Sequence, residues 1–107
     1  MVFIETPIFS RQIQSLMNDD MYRELQKALI VKPDTGDLIK GSGGLRKVRW
    51  KLKGTGKSGG VRVIYYWYTS AEQIYMIFAY PKSKQDNLTA EQLATLKAVM
   101  QRSINGQ

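Results

Sequence analysis

Residues 40–68 read KGSGGLRKVRWKLKGTGKSGGVRVIYYWY, and how this stretch folds decides the architecture of the chain. Successive side chains of a strand face opposite ways. Over residues 45–52 that rule sends Val48 and Trp50 to one side and Lys47, Arg49 and Lys51 to the other. Val61–Tyr68 is dense in β-branched and aromatic residues and predicts a second strand. Gly54, Gly56, Gly59 and Gly60 make the connection between them, which carries Lys53 and Lys57. The stretch holds Lys40, Arg46, Lys47, Arg49, Lys51, Lys53, Lys57 and Arg62, and no acidic residue. Cations held on a sheet form a fixed and, on this reckoning, uncompensated positive face, which suits a polyanion.

Towards the N-terminus, residues 33–44 are rich in turn formers, with Leu38-Ile39 as a short extended piece. Val2–Glu5 is β-prone and stops at Thr6-Pro7, where Thr6 caps a helix that Pro7 opens. Phe9, Ile13, Leu16 and Met17 mark the apolar face of that helix. Asn18-Asp19-Asp20 offers caps for a second helix with an acidic start that suits its dipole. There Met21, Leu25, Ala28 and Leu29 share a face, and Pro33 ends the pattern. Two helices with a tight joint make an α-hairpin.

Towards the C-terminus, Ser70-Ala71-Glu72 predicts a turn into Gln73–Tyr80, a strand apolar enough to be central. Lys82–Asn87 is polar. Thr89-Ala90-Glu91-Gln92 matches a capping box, and Leu93, Leu96, Met100 and Ile104 follow at helical spacing. The predicted order is β-α-α-β-β-β-α over one domain, residues 1–107: an α+β fold with a small, antiparallel-dominated sheet, an N-terminal α-hairpin and a C-terminal helix.

Composition narrows the chemistry. Sixteen Lys and Arg against nine Asp and Glu give a net charge of +7, which favours acidic partners. The absence of Cys and His removes disulfides, thiolate nucleophiles and the commonest metal ligand and general base. No metal or other cofactor is expected, because the one adjacent acidic pair, Asp19-Asp20, serves the helix start. No apolar run reaches the roughly 20 residues of a membrane span, and MVFIETPIF lacks the features of a secretory signal, so a cytoplasmic protein is expected. Gly56-Lys57-Ser58 suggests a phosphate loop, but Lys51 stands where its first Gly belongs and a strand follows instead of a helix.

What remains is a basic strand face with aromatics. Lys47, Arg49 and Arg62 can share one face, with Lys82 and Lys84 just beyond the last strand. Such a set resembles an RNA-cleaving site that works without metal. The ribose 2′-hydroxyl attacks the adjacent phosphorus, one proton is taken, another is given, and guanidinium groups hold the extra charge. A lysine can move those protons if its pKa falls. Same-face neighbours lie about 7 Å apart, where like charges at an effective dielectric of about 20 repel by roughly 2.4 kcal/mol, enough to lower the Lys47 pKa by about 1.7. Arg46, Lys51, Lys53 and Lys57 are candidate RNA contacts. Trp50, Tyr65 and Trp67 belong to the core, whereas Tyr66 and Tyr68 fit either packing or base stacking. The same face also fits a nucleic-acid binder without catalysis.

GGLRKVRWKLKGTGKSGGVRVIYYWY, then an apolar strand, then YPKSKQDNLT before a capped helix, resembles the RelE/HigB superfamily of bacterial toxins. It is most similar to the HigB-like branch with a Gly- and Lys-rich loop between the middle strands. The resemblance implies a toxin of a toxin-antitoxin pair: a ribosome-dependent mRNA endonuclease (mRNA interferase, a hydrolase) that inhibits translation. It implies a cognate antitoxin as partner, commonly a HigA-like helix-turn-helix protein, with operator DNA bound only through their complex. By motif, Lys47 acts as base, Arg49 as phosphate ligand and Arg62 as transition-state stabiliser. Some relatives place an arginine and a tyrosine after the last strand; here Lys82, Ser83 and Lys84 stand there, with no tyrosine near Leu88, so the general acid falls to Lys82 or Lys84. A sister branch of the fold, resembling ParE, poisons gyrase instead, and the dense Lys/Arg face favours RNA cleavage.

Overall fold

The computed structural model describes residues 1–52 and 60–106. Strand β1 (Val2–Glu5) leads into α1 (Pro7–Leu16) and α2 (Asp19–Val31), followed by β2 (Asp37–Leu38), β3 (Leu45–Lys51), β4 (Gly60–Tyr68), β5 (Gln73–Pro81) and α3 (Ala90–Asn105). The five strands form one sheet in the order β1-β5-β4-β3-β2. The β1–β5 pair is parallel and the others antiparallel. The predicted α+β class and antiparallel-dominated sheet are found. The short extended piece falls on Asp37–Leu38 rather than Leu38-Ile39 and joins the sheet as its edge. The predicted turn after β4 is a 3-10 turn, Thr69–Ala71, closed by Glu72 in the left-handed region.

Local chemistry sets the helix ends. Thr6 Oγ1 accepts the Phe9 N–H at 3.1 Å and donates to the Ile77 carbonyl at 2.8 Å. One hydroxyl thus caps α1 and pins its start to β5. Asn18 caps α2 by accepting the Met21 N–H, with Asp19 and Asp20 in the first turn. The Thr89–Gln92 capping box forms in both directions. Because β1 is short, the Ala79 N–H of β5 has no strand partner there; Gln12 Oε1 of α1 accepts it at 2.9 Å. Tyr22 of α2 donates to Glu5 of β1 at 2.7 Å; burial and the Glu5 carboxylate push its phenol well above the ordinary tyrosine range.

The sheet is buried on both faces. Helices α1 and α2 cover one, where Phe9, Ile13, Leu25 and Leu29 pack on Val48, Val61, Val63, Tyr65, Ile74 and Met76. Helix α3 lies on the other, with Leu96 and Met100 against Leu45, Ile64, Tyr75, Ile77 and Tyr80. Each such fully buried apolar side chain contributes about 1.5–3 kcal/mol. The expected core aromatics Trp50, Tyr65 and Trp67 all pack with the first cluster.

A β-bulge sets which residues of β5 face α3. Ile64 opposes Phe78 while Tyr65 opposes Met76, so Ile77 is an extra residue in β5. An inserted residue reverses the alternation beyond it. Both Ile77 and Phe78 therefore join the α3 side, and Tyr80 comes opposite Arg62. Among the described residues, no helix is long and apolar enough to cross a membrane.

Candidate nucleic-acid interface

Arg49 and Arg62 are direct cross-strand partners, and Lys47 lies two residues along β3 on the same face. The structure thus brings together the three cations that strand parity singled out. Like charges directly opposite one another destabilise a sheet, so this pair needs counter-charge. It comes from outside the acid-free stretch. Asp37 of β2 binds Arg49 Nη1 at 3.0 Å, and Asp86, after β5, binds Arg62 Nη2 at 2.8 Å. The face expected to be uncompensated is therefore partly neutralised, because a strand residue and a loop residue distant in sequence supply the carboxylates.

The cations differ in environment. The Arg62 side chain is 7% exposed and that of Arg49 is 53% exposed. Arg62 Nε is buried and finds no acceptor among the described residues. Lys47 Nζ donates to Asn87 Oδ1 at 2.6 Å. Burial first, then the Arg49 guanidinium, pulls the Lys47 pKa below the ordinary lysine range; Arg62 adds to this, and Asp86 and Asp37 oppose it. The crowding anticipated from strand spacing is present, but desolvation outranks it. The hydrogen bond from Arg62 holds the Asp86 carboxyl below the usual carboxylate range, with the Arg62, Lys47 and Arg49 charges adding. Tyr80, 4% exposed, donates to the Asp86 carbonyl at 3.2 Å, and burial pushes its phenol up.

The remaining predicted residues divide. Lys82 stays on the ladder, its N–H bonded to the Gly60 carbonyl at 2.9 Å, which places it two residues beyond Tyr80 on the Arg62 side of the register. Lys84 lies past the ladder in the turn that follows, exposed like Lys82. Lys51 ends β3 opposite Gly60 and borders a groove shared with Trp50 and Met21, Arg23 and Lys27 of α2. Arg46 does not join the cluster: one residue from Lys47, it emerges on the opposite face, where Nη1 donates to the Gly36 carbonyl at 2.7 Å and ties down the turn before β2. Tyr66 does not reach it either. Four residues from Arg62 along β4, a span of about 13 Å, it packs with the α3 cluster, 6.2 Å between ring centroids from Tyr68. A Cβ on Gly44 would lie 2.8 Å from the Tyr66 ring, and Gly44 has a φ of +120°, so glycine is required there on both counts. Lys53 and Lys57 lie outside the described residues.

Asp37, Tyr80, Asp86 and Asn87 are the site residues that sequence reasoning missed. The polar run 82–87 stands out for its lysines; its aspartate and asparagine carry an equal signal, since a buried arginine needs an acceptor.

A family model described as "RelE toxin of RelE / RelB toxin-antitoxin system" matches residues 7–106. Among solved structures, a double arginine-to-alanine mutant of the E. coli toxin RelE in the free state is similar. The likeness has a TM-score of 0.57 at 13% sequence identity and spans 92% of this chain and 95% of that one. At that identity the likeness carries the fold.

Proposed function

The chain belongs to the RelE toxin family of toxin-antitoxin systems, and from that premise we propose that it is an endoribonuclease that cuts ribosome-bound messenger RNA by internal attack of the 2′-hydroxyl. Membership implies a cognate antitoxin; a HigA-like helix-turn-helix protein and a HigB-like branch are the finer forms of the proposal. The observation that carries it is a lysine with a lowered pKa on the same sheet face as two arginines in cross-strand register.

Lys47, when neutral, takes the proton of the 2′-hydroxyl. Arg49 and Arg62 bind the non-bridging phosphate oxygens as negative charge develops, a task suited to fixed, always-charged donors. The 5′-oxygen leaves with a proton from an ammonium group. Lys82, whose N–H bonds the Gly60 carbonyl at the end of the ladder, takes that role ahead of Lys84, which lies past the ladder. The domain spanning residues 1–107 carries the whole set.

The test is to add purified protein to a translation reaction and map RNA ends. New ends that disappear with Lys47→Ala are expected. Message bound but intact would mean a nucleic-acid binder without catalysis, and cleaved plasmid with untouched message would mean a gyrase poison.

The pH dependence has a definite sign. A general base works deprotonated, so single-turnover cleavage should rise with pH and level off at the Lys47 pKa, below the ordinary value of about 10.4. Arg49→Ala removes the second-largest cause of the lowering, so the rising limb should move to higher pH. Lys47→Arg should cleave nothing, because a guanidinium keeps its proton. A limb unmoved by Arg49→Ala would reject Lys47 as the base.

A further inference from the structure

Two adjacent residues of one exposed segment each cap a different cation of the site. Asp86 Oδ1 accepts from Arg62 Nη2 at 2.8 Å, and Asn87 Oδ1 accepts from Lys47 Nζ at 2.6 Å. We propose that Asp86-Asn87 is a latch: in the free protein the carboxylate occupies the place of the RNA phosphate and the amide oxygen that of the 2′-hydroxyl, and bound RNA displaces both. The inference rests on the endoribonuclease function above and adds to it a closed resting form.

Three features support an exchangeable latch over a fixed strut. First, the engagement of Arg62 is incomplete. A guanidinium edge offers two parallel donors to an anion, yet Asp86 takes Nη2 while Nε stays buried without an acceptor among the described residues. A phosphodiester presenting two oxygens can fill both. Second, Asp86 is 60% exposed where Arg62 is 7% exposed, so a displaced carboxylate returns to water at little cost. Third, the backbone of the segment is anchored by contacts other than the two capping side chains. Tyr80 binds the Asp86 carbonyl, Gln85 binds the Asn87 carbonyl at 2.9 Å, and Gln85 also bonds Gln92 of α3. These anchors hold the backbone near the site and leave the two capping side chains free to turn away.

The experiment measures binding without cleavage. Inorganic sulfate and an RNA oligonucleotide with 2′-O-methyl nucleotides, which keep the 2′-oxygen but cannot be cut, are titrated into the wild-type protein, Asp86→Ala, Asp86→Asn, Asn87→Ala and Asp19→Asn. The last removes a remote negative charge from the start of α2. If the latch is closed in about nine of ten molecules, opening it raises apparent affinity about tenfold. Asp86→Ala is expected to approach that gain for both probes, with Asn87→Ala gaining for the oligonucleotide alone and Asp19→Asn unchanged for sulfate. The NMR signal of the Arg62 Nε–H should move on sulfate addition. Asp86→Asn keeps an acceptor of the same shape without the charge and serves if the alanine variant unfolds. Unchanged or weaker binding by a folded Asp86 variant would overturn the latch and make Asp86 a positioning residue for Arg62. Failure of the endoribonuclease function is read separately, as intact ribosome-bound message with every variant whatever its affinity.

Discussion

Replacing Arg62 with alanine should lower RNA cleavage by about two to three orders of magnitude, the usual loss when one preorganised charge stabiliser is removed. Arg62 is expected to outrank Arg49 for an electrostatic reason. Its side chain is buried and that of Arg49 is half in water, and a charge acts more strongly where the local dielectric is low. The substitution leaves Asp86 unpaired, but a carboxylate that is already largely exposed is rehydrated. The lost stem of the arginine removes some packing, so the variant should melt a few degrees lower yet fold. Arg62→Lys should recover little activity, because an ammonium is a point charge without the two-pronged donor edge. Single-turnover cleavage of ribosome-bound message, with circular dichroism as the control for folding, decides the matter. A folded Arg62→Ala protein that cuts within threefold of the wild-type rate would refute the assignment.

The largest stability effect is expected at Tyr65, where the core meets the turn that feeds the site. Its ring is fully buried, and its hydroxyl accepts the Gly36 N–H at 2.8 Å and donates to the Pro33 carbonyl at 2.7 Å. Tyr65→Phe keeps the ring and strands both backbone groups, a loss of about 1–3 kcal/mol. Tyr65→Ala also empties the ring site, bringing the loss to about 3–5 kcal/mol. In a chain of this length each kcal/mol lowers the melting midpoint by about 4–8 °C, so thermal melts separate the two variants. The phenylalanine variant should have a local effect as well. Asp37 follows Gly36 directly, and a loosened turn weakens its ion pair with Arg49. Cleavage by Tyr65→Phe below its own melting range should therefore fall less than with Arg62→Ala but measurably. A melting midpoint equal to wild type would show that the two hydrogen bonds contribute nothing net.

The helices and the long strands were legible because their determinants are local. Thr6 before Pro7, Asn18 before two aspartates, and Thr89 with Gln92 cap their own helices within a few residues, and such contacts form whatever the rest of the chain does. The spacing of Phe9 and Ile13, of Leu25 and Leu29, and of Leu96 and Met100 likewise chose the buried helix faces. Lys47 and Arg49 share a side through strand parity alone. Parity also turns Arg46 the opposite way, to the Gly36 carbonyl.

Register, counter-charge and burial depend on partners far along the chain, and only the folded molecule supplies them. Arg62 meets Arg49 because β3 and β4 pair in one register among several that alternation allows, and Tyr80 joins them because a single bulge at Ile77 reverses the faces of β5. Asp37 and Asp86 reach the arginines from 12 and 24 residues away, and Asn87 reaches Lys47 from 40. The amino-acid order by itself determined which residues carry positive charge and which face of its own strand each occupies, since both follow from a residue and its immediate neighbours. Which cation is buried, which is paired and why the Lys47 pKa falls below the ordinary lysine range were decided by tertiary structure, because desolvation and Coulomb forces act through space rather than along the chain.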